Sequence, residues 1–155
     1  MKIRLMQAED LAAVAQIDEL CFSQPWPPAA FEDELVNTNA RCWVAEYEGQ
    51  IDEQQAQIVA ALVIWRVLDE AHIATIAVHP NFQRRGIGQS LLNIGIQAAY
   101  AEGARIYYLE VRAGNLAAIQ MYTDFGFIIV GNRKKYYKDN GEDALLMTLE
   151  LKDAA

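Results

Sequence analysis

Apolar residues recur along the chain at two spacings, and the switches between them mark out the secondary structure. Ile3 to Met6 reads as a short strand. Leu11, Val14, Ile17, Cys21 and Phe22 then recur at helical spacing, which predicts an amphipathic helix from about Ala8 to Phe22. Pro25, Pro27 and Pro28 stop it. A second short helix is predicted from about Pro28 to Val36, because proline is tolerated in a first helical turn and Phe31 and Leu35 share a face. Two strands follow, Cys42 to Glu48 and Gln57 to Val67, joined by the polar segment Gly49 to Ala56 and expected to pair antiparallel. Leu68-Asp69-Glu70 turns the chain into a strand, Ile73 to Val78, that ends before His79-Pro80.

The next helix, about Gly86 to Ala101, carries Ile87, Leu91, Leu92, Ile94, Ala98 and Ala99, and Gly103 stands where a left-handed end residue is favoured. Arg105 to Val111 reads as a strand. Asn115, a favoured cap residue, opens a helix that runs to about Phe125 and stops at Gly126. Phe127 to Gly131 and Ala144 to Leu151 complete the pattern as strands. The order is β, α, α, β, β, β, α, β, α, β, β, which predicts an α/β or α+β fold, a mixed sheet with helices packed on it, in one domain over residues 1–155.

With 155 residues, 53% of them hydrophobic, the chain is long enough to bury a full core. Its longest unbroken apolar run, Ile58 to Trp65, falls far short of the ~20 residues of a membrane helix, and Glu9 and Asp10 interrupt the start before a signal-peptide core forms. A soluble, cytoplasmic protein is expected, with no membrane partner. Cys21 and Cys42 lie apart in apolar surroundings and read as free thiols of a reducing compartment. The formal charge of −8 argues against a general nucleic-acid binder and suits a cationic substrate, although a merely solubilising surface would have the same charge. Arg133-Lys134-Lys135 with Lys138, interleaved with Tyr136 and Tyr137, is the main exception and reads as a solvated strand end or a substrate-lining loop.

One segment changes the functional picture. Gln83-Arg84-Arg85-Gly86-Ile87-Gly88 joins a strand directly to a helix N-terminus, where backbone N–H groups lack internal partners and the helix dipole adds positive charge. Such a turn is a cradle for phosphate. Gly86 and Gly88 keep side-chain bulk away from the amides, and Arg84 and Arg85 add charge-assisted donors. A tight connection with two solvated arginines is the plainer alternative. The Rossmann fingerprint is excluded because position 91 is Leu91, and a P-loop because Gly88 is followed by Gln89 and Ser90.

Along the strand from Arg105, side chains alternate, so Ile106, Tyr108 and Glu110 share one face and Tyr107, Leu109 and Val111 the other. Glu110 is then a carboxylate near the C-terminal end of an apolar strand, where ligand sites of such sheets lie; a salt bridge to Arg112 or Arg105 would explain it equally well. Asn115 and Tyr122 fall on one helix face about 10 Å apart, and Leu116, Ile119, Tyr122 and Phe125 form a stripe of the kind a core buries. Cradle, carboxylate and phenol are expected to converge on one cleft. His72 and His79 are read as structural or turn residues and no metal site is expected; Ser90 lacks the partners of a hydrolytic triad.

Together, Ile76-Ala77-Val78-His79-Pro80, the run Gln83 to Gly88, and Leu109-Glu110-Val111-Arg112 followed by Asn115, Ala118, Tyr122, Gly126 and Phe127 resemble the Gcn5-related N-acetyltransferase (GNAT) superfamily, over about Met1 to Leu151. Pro25-Trp26, Glu110-Val111-Arg112 and Arg133-Lys134-Lys135-Tyr136-Tyr137 with Glu142-Asp143-Ala144 look like its bacterial ribosomal-protein-alanine N-acetyltransferases, which act on the N-terminal alanine of a small-subunit ribosomal protein. The resemblance implies a mostly antiparallel mixed sheet of about seven strands flanked by about four helices. It also implies acetyl-CoA as donor, without a metal. By position, Ile76, Ala77 and Val78 would pair with pantetheine; Arg84, Arg85, Gly86, Ile87, Gly88 and Gln89 would hold the pyrophosphate; and Asn115 would contact the cofactor. Glu110 would be the general base and Tyr122 the general acid.

Thioester aminolysis needs a neutral amine, an oxyanion donor and a proton for the departing thiolate. An α-amino group of pKa near 8 costs roughly 1.4 kcal/mol to deprotonate at pH 7, and a lysine near 10.4 roughly 4.6 kcal/mol. A single carboxylate manages the first more easily, which favours a protein N-terminus. Acetylation of a lysine or of a small-molecule amine is the alternative within enzymes, and an acetyl-CoA-binding sensor or assembly module the alternative outside them. Glu110 and Tyr122 together favour an enzyme, since a pure binder needs neither. The segment Gly49 to Ala56 is longer and more acidic than in many members of the superfamily, and the oligomeric state stays open between a monomer and a weak dimer.

Overall fold

A computed structural model describes residues 1–48 and 57–153, so the connection Gly49 to Ala56 lies outside the described residues. The elements are β1 (Lys2–Leu5), α1 (Leu11–Cys21), α2 (Pro28–Val36), β2 (Ala40–Tyr47), β3 (Gln57–Val67), β4 (Glu70–Val78), α3 (Ile87–Ala101), β5 (Ile106–Arg112), α4 (Leu116–Phe125), β6 (Ile128–Arg133) and β7 (Ala144–Glu150). The strands form one seven-stranded sheet in the order β1-β2-β3-β4-β5-β7-β6. Only β4 and β5 pair parallel among the registered pairs; β1 with β2, β2 with β3, β5 with β7 and β6 with β7 run antiparallel. Element order, four flanking α-helices and mostly antiparallel pairing all match the pattern of the sequence. Among the described residues no helix is long and apolar enough to cross a membrane.

The chain divides into two contact units, residues 1–65 with 74–98, and residues 66–73 with 99–155. In the first, Met6, Val14, Phe31, Cys42, Val44, Ala61 and Val63 form a buried cluster, with Trp26 packed at 5.1 Å on Phe31 and stacked at 6.1 Å on Trp65. One face of β2, one face of β3 (a continuous apolar run buried on both faces from Val59 to Ile64) and the helical stripes of α1 and α2 supply this core from separate segments. The expected helix from Ala8 opens as a turn of 3-10 helix, Ala8–Asp10, before α1. Asp10 explains the change: its buried carboxylate accepts the Gln7 N–H at 2.8 Å and is gripped by Arg4 at 2.7 and 2.9 Å. The Arg4 guanidinium holds the Asp10 carboxyl below its usual range.

In the second unit β5 pairs on one side with β4, through Glu70–Ile106, Ala71–Tyr107 and His72–Tyr108, and on the other with β7 over all seven residues from Ile106 to Arg112. Its alternation is as predicted: Tyr107, Leu109 and Val111 are buried with Met147 and Leu149, and Tyr108 and Glu110 lie on the more open face. β4 starts at Glu70 rather than Ile73, because Leu68 takes a left-handed conformation (φ 56°) that turns the chain early enough for Glu70 to His72 to pair with β5. One expectation fails. Of the stripe predicted on α4 only Tyr122 is buried, and Leu116 is 74% exposed. Side chains of a first helical turn point back toward the N-terminus, which carries Leu116 off the packed part of the helix.

Asp18 in α1 is buried, and its carboxylate accepts the backbone N–H of Trp26 at 2.7 Å, which ties the chain after α1 back onto that helix. Burial pushes its pKa up, against the opposing pull of that hydrogen bond. A carboxyl whose folded pKa lies above its unfolded one carries no such cost while protonated in both states, and destabilises the fold as pH rises past the unfolded value. Asp18→Asn keeps an acceptor for Trp26 and removes the charge. Its melting temperature is therefore expected to equal or exceed that of the unsubstituted protein at pH 7, with the difference shrinking as pH falls through the carboxylate range. A loss of stability at pH 7 would show that the bond to Trp26 outweighs burial.

Candidate active site

β4 ends in a tightly braced turn. His79 donates its N–H to Val59 O at 2.7 Å, its Nδ1 accepts from Asn81 N–H at 3.1 Å, and Phe82 N–H returns to His79 O at 2.8 Å, closing a 3-10 turn over Pro80–Phe82. The Phe82 ring packs on Tyr47 at 5.2 Å and lies under the Arg85 guanidinium at 5.0 Å. His79 is thus a turn residue, as read from the sequence. The carbonyl of Val78 accepts from Gln83 Nε2 at 3.0 Å and from Cys21 Sγ at 3.2 Å. That carbonyl is committed internally, so backbone pairing by a ligand on Ile76, Ala77 and Val78 falls to their remaining groups.

The residues that follow are shaped for an anion. Arg84 has φ 63° and Gly86 φ 78°, while Arg85 between them keeps negative φ. Alternation of hand turns successive N–H groups toward one side, the geometry of a backbone nest. α3 starts at Ile87, and Ser90 N–H, bonded to Gly86 O at 3.0 Å, is the first amide with a carbonyl four residues back. The N–H groups of Ile87, Gly88 and Gln89 are therefore the orphan donors of the helix start, beside its dipole. A Cβ built on Gly86 meets nothing within 4 Å, so the space over the turn is open, and Arg84 and Arg85 are exposed. These features fit a diphosphate: helix-start amides without carbonyl partners, open space over Gly86 and two exposed cations.

Asn115 caps α4, its side-chain oxygen accepting from Ala118 N–H at 3.2 Å. Its amide nitrogen is not used in that cap. Glu110, predicted on the open face of β5, is there, but its ion pair is neither of those expected. The partner is Arg133 at 3.7 Å, from the end of β6. Arg112 instead makes a two-pronged pair with Asp139 at 3.0 Å and lies 3.9 Å over the Tyr137 ring, and Arg105 pairs with Asp153 at the opposite end of the strand. The acidic turn 139–142 draws Arg112 away and leaves Glu110 to the cationic turn. The Tyr136 hydroxyl also faces Glu110, and that carboxylate holds the phenol's pKa up, first through hydrogen bonding and then through charge.

Tyr122 is buried, packed edge-on against Phe127 at 5.7 Å. Burial pushes its pKa well above the usual phenol value, and the nearby Tyr137 adds to the shift. Among the described residues no hydrogen bond engages its hydroxyl, so at neutral pH the phenol holds a proton that is not committed elsewhere. Tyr137, itself raised by burial, feels the charges of Arg112 and Glu110, which links the Glu110 cluster to Tyr122 within one unit.

Sequence reading placed Arg133, Tyr136 and Tyr137 in a cationic run without pairing any of them with Glu110, and it quoted Glu142 without a contact for it; that carboxylate accepts Gly114 N–H at 2.6 Å and anchors the turn before α4. No periodicity carries these contacts. They depend on how the β6–β7 connection folds back over β5.

A mostly antiparallel seven-stranded sheet in this order, flanked by four α-helices, is the fold of the N-acetyltransferases. The acetyltransferase (GNAT) family model matches residues 11–127, and the chain belongs to that family of N-acetyltransferases. It is 34% identical over 151 residues to the [ribosomal protein bS18]-alanine N-acetyltransferase of Escherichia coli (strain K12), covering 96% of this chain and 97% of that one. To the N-alpha-acetyltransferase RimI of Mycobacterium tuberculosis it is 35% identical over 144 residues, 89% of this chain and 85% of the other. The crystal structure of the ribosomal-protein-S18-alanine N-acetyltransferase from Escherichia coli superposes with a TM-score of 0.87 at 31% identity, covering 99% and 96% of the two chains.

Proposed function

We propose that this chain transfers the acetyl group of acetyl-CoA to the N-terminal alanine amine of a ribosomal protein in the cytoplasm, with residues 1–155 acting as one N-acetyltransferase domain. The observation that carries the reading is the pairing of chemical types in one unit: an ionisable carboxylate on an open strand face, Glu110, and a buried, protonated phenol, Tyr122. The relatives' activity on a ribosomal protein, over nearly the whole length of each chain, supports the acceptor.

Bound acetyl-CoA would supply the thioester carbonyl that the amine attacks. The amides of Arg84, Arg85, Gly86, Ile87, Gly88 and Gln89 would hold its pyrophosphate, backbone groups of Ile76, Ala77 and Val78 would pair with the pantetheine, and the Asn115 amide would contact the cofactor. Glu110 takes the proton from the acceptor's ammonium group, directly or through one water, so that the nitrogen lone pair is free to attack. Tyr122 gives its proton to the sulfur as the C–S bond breaks, and the second N–H that the nitrogen loses on becoming an amide restores the phenol. Neither step calls on a metal. An α-amine costs about 3 kcal/mol less to deprotonate than a lysine, which fits an acceptor at a chain terminus.

Three outcomes test this. Incubation with acetyl-CoA and peptides that begin with alanine is expected to add one acetyl to the first nitrogen, located by fragmentation mass spectrometry; acetyl on lysine alone would contradict the acceptor. Tyr122→Phe is expected to lower kcat by about 100-fold with CoA affinity nearly intact, within the range for a single acid, and unchanged turnover would remove the acid role. Gly86→Glu brings negative charge and a strained left-handed conformation into the cradle, and is expected to abolish CoA binding by calorimetry. Normal titration would refute the loop assignment.

A further inference from the structure

Gly114 stands one residue before the Asn115 cap of α4, and its place is fixed from outside the helix. Its N–H donates to Oε2 of Glu142, on the β6–β7 connection, at 2.6 Å. Oε1 of the same carboxylate accepts from Asn140 Nδ2 at 3.2 Å and pairs with Arg112 at 3.5 Å, so both oxygens are engaged. The hydrogen bond from Gly114, ahead of that from Asn140, holds the Glu142 carboxyl below its usual range, and the group is charged at neutral pH. A Cβ built on Gly114 would lie 2.6 Å from Oε2. Gly114 is not one of the left-handed glycines, which are Gly86, Gly103, Gly126 and Gly141. Its missing side chain therefore serves the close approach of a carboxylate rather than the backbone conformation.

We propose that Glu142 is a positioning residue for the cofactor site, acting through Gly114 on Asn115. The inference rests on the function proposed above, in which the Asn115 amide contacts acetyl-CoA. Asn115 N–H returns to Arg112 O at 3.0 Å, which closes the turn from β5 into α4 with Gly114 inside it. A glycine has two soft torsions that no side chain restrains, so an untied Gly114 would let that turn, and Asn115 with it, swing. Glu142 grips the turn at both Arg112 and Gly114. The other bonds of Asn115, from Ala118 N–H to its side-chain oxygen at 3.2 Å and from Ile119 N–H to its carbonyl at 3.1 Å, join it only to the residues that follow. The contact lies near the surface, where single pairs add little stability, and its consequence is where Asn115 stands. A neutral amide at position 142 keeps the shape of the side chain and loses the charge that strengthens both contacts. Tyr122, two turns further on, is held by its own burial and by Phe127. The effect therefore falls on cofactor affinity rather than on the chemical step.

The test is a double-mutant cycle read by calorimetric titration with CoA and by steady-state kinetics on a peptide beginning with alanine. Glu142→Gln is expected to raise the Kd for CoA and the KM for acetyl-CoA about tenfold, the loss of one charge-assisted hydrogen bond, with kcat within about twofold. Asn115→Ser keeps a capping oxygen, loses the amide and is expected to weaken CoA binding too. The double variant is expected to bind CoA no more than about twofold worse than Asn115→Ser, because residues that act through one contact are not additive. Asp139→Asn loosens the same connection without touching Gly114 and is expected to leave the Kd within about twofold. Glu142→Asp, too short to reach Gly114 from the same backbone position, serves if the glutamine protein does not fold, with the same expected losses. An unchanged Kd in Glu142→Gln or in Asn115→Ser, a lower melting temperature as the sole change, additive losses in the double variant, or an equal loss in Asp139→Asn would each overturn the positioning role. Failure of the unsubstituted protein to bind CoA would remove the proposed function and this inference together. CoA binding that follows the cycle without acetyl transfer to the peptide would remove the proposed acceptor and leave the positioning role standing.

Discussion

The register of β5 is the constraint that fixes where Glu110 and its neighbours stand. Seven consecutive residues of β5 pair with β7, and the side-chain period of a strand is two. Tyr107, Leu109 and Val111 are at most 6% exposed on one face, and full burial of such side chains is worth about 1.5–3 kcal/mol each. A slip of one residue would expose all three and drive Glu110 into their place, with a further penalty for an unpaired buried carboxylate. Glu110 is thus aimed by the packing of residues on the opposite face of its strand. The same packing places Tyr108 opposite His72 and decides which groups share the carboxylate's face.

The turn after β4 obeys the opposite logic. Its useful groups are main-chain amides, and its shape comes from conformation rather than burial. Arg84 in a left-handed conformation costs about 1–2 kcal/mol for a residue that carries a Cβ. That strain is sustained because the turn is braced at both ends: by His79 and Gln83 on the strand side, and by the bond from Ser90 to Gly86 on the helix side. A strained backbone held by its neighbours is preorganised, so the ordering cost of the anion contact proposed for this turn would be met at folding rather than at binding.

The β6–β7 connection joins the two kinds of order. Arg112, Asp139, Asn140 and Glu142 form a charge network whose carboxylate also fixes Gly114, just before the cap of α4. The turn that carries Arg133, Tyr136 and Tyr137 is thereby tied to the helix that carries Tyr122, within one unit. Exposed pairs of this kind add little stability singly. Their effect here is positional.

Local pattern determined the elements of this protein and their order. The 3.6-residue and two-residue periods survive because each helix or strand buries one face, and Pro28, Asn115, Gly103 and Gly126 punctuate them through conformational limits that act within a few residues. The face of Glu110 and the glycine turn were legible for the same reason. Tertiary structure alone decided the partners: Arg133 rather than Arg112 for Glu110, a stack of His72 on Tyr108, an internal donor for the Val78 carbonyl, and an exposed Leu116 on a stripe expected to be buried. These contacts join residues brought together by sheet register and by the path of a loop. Long side chains with several reachable partners choose among them by geometry that no spacing along the chain encodes.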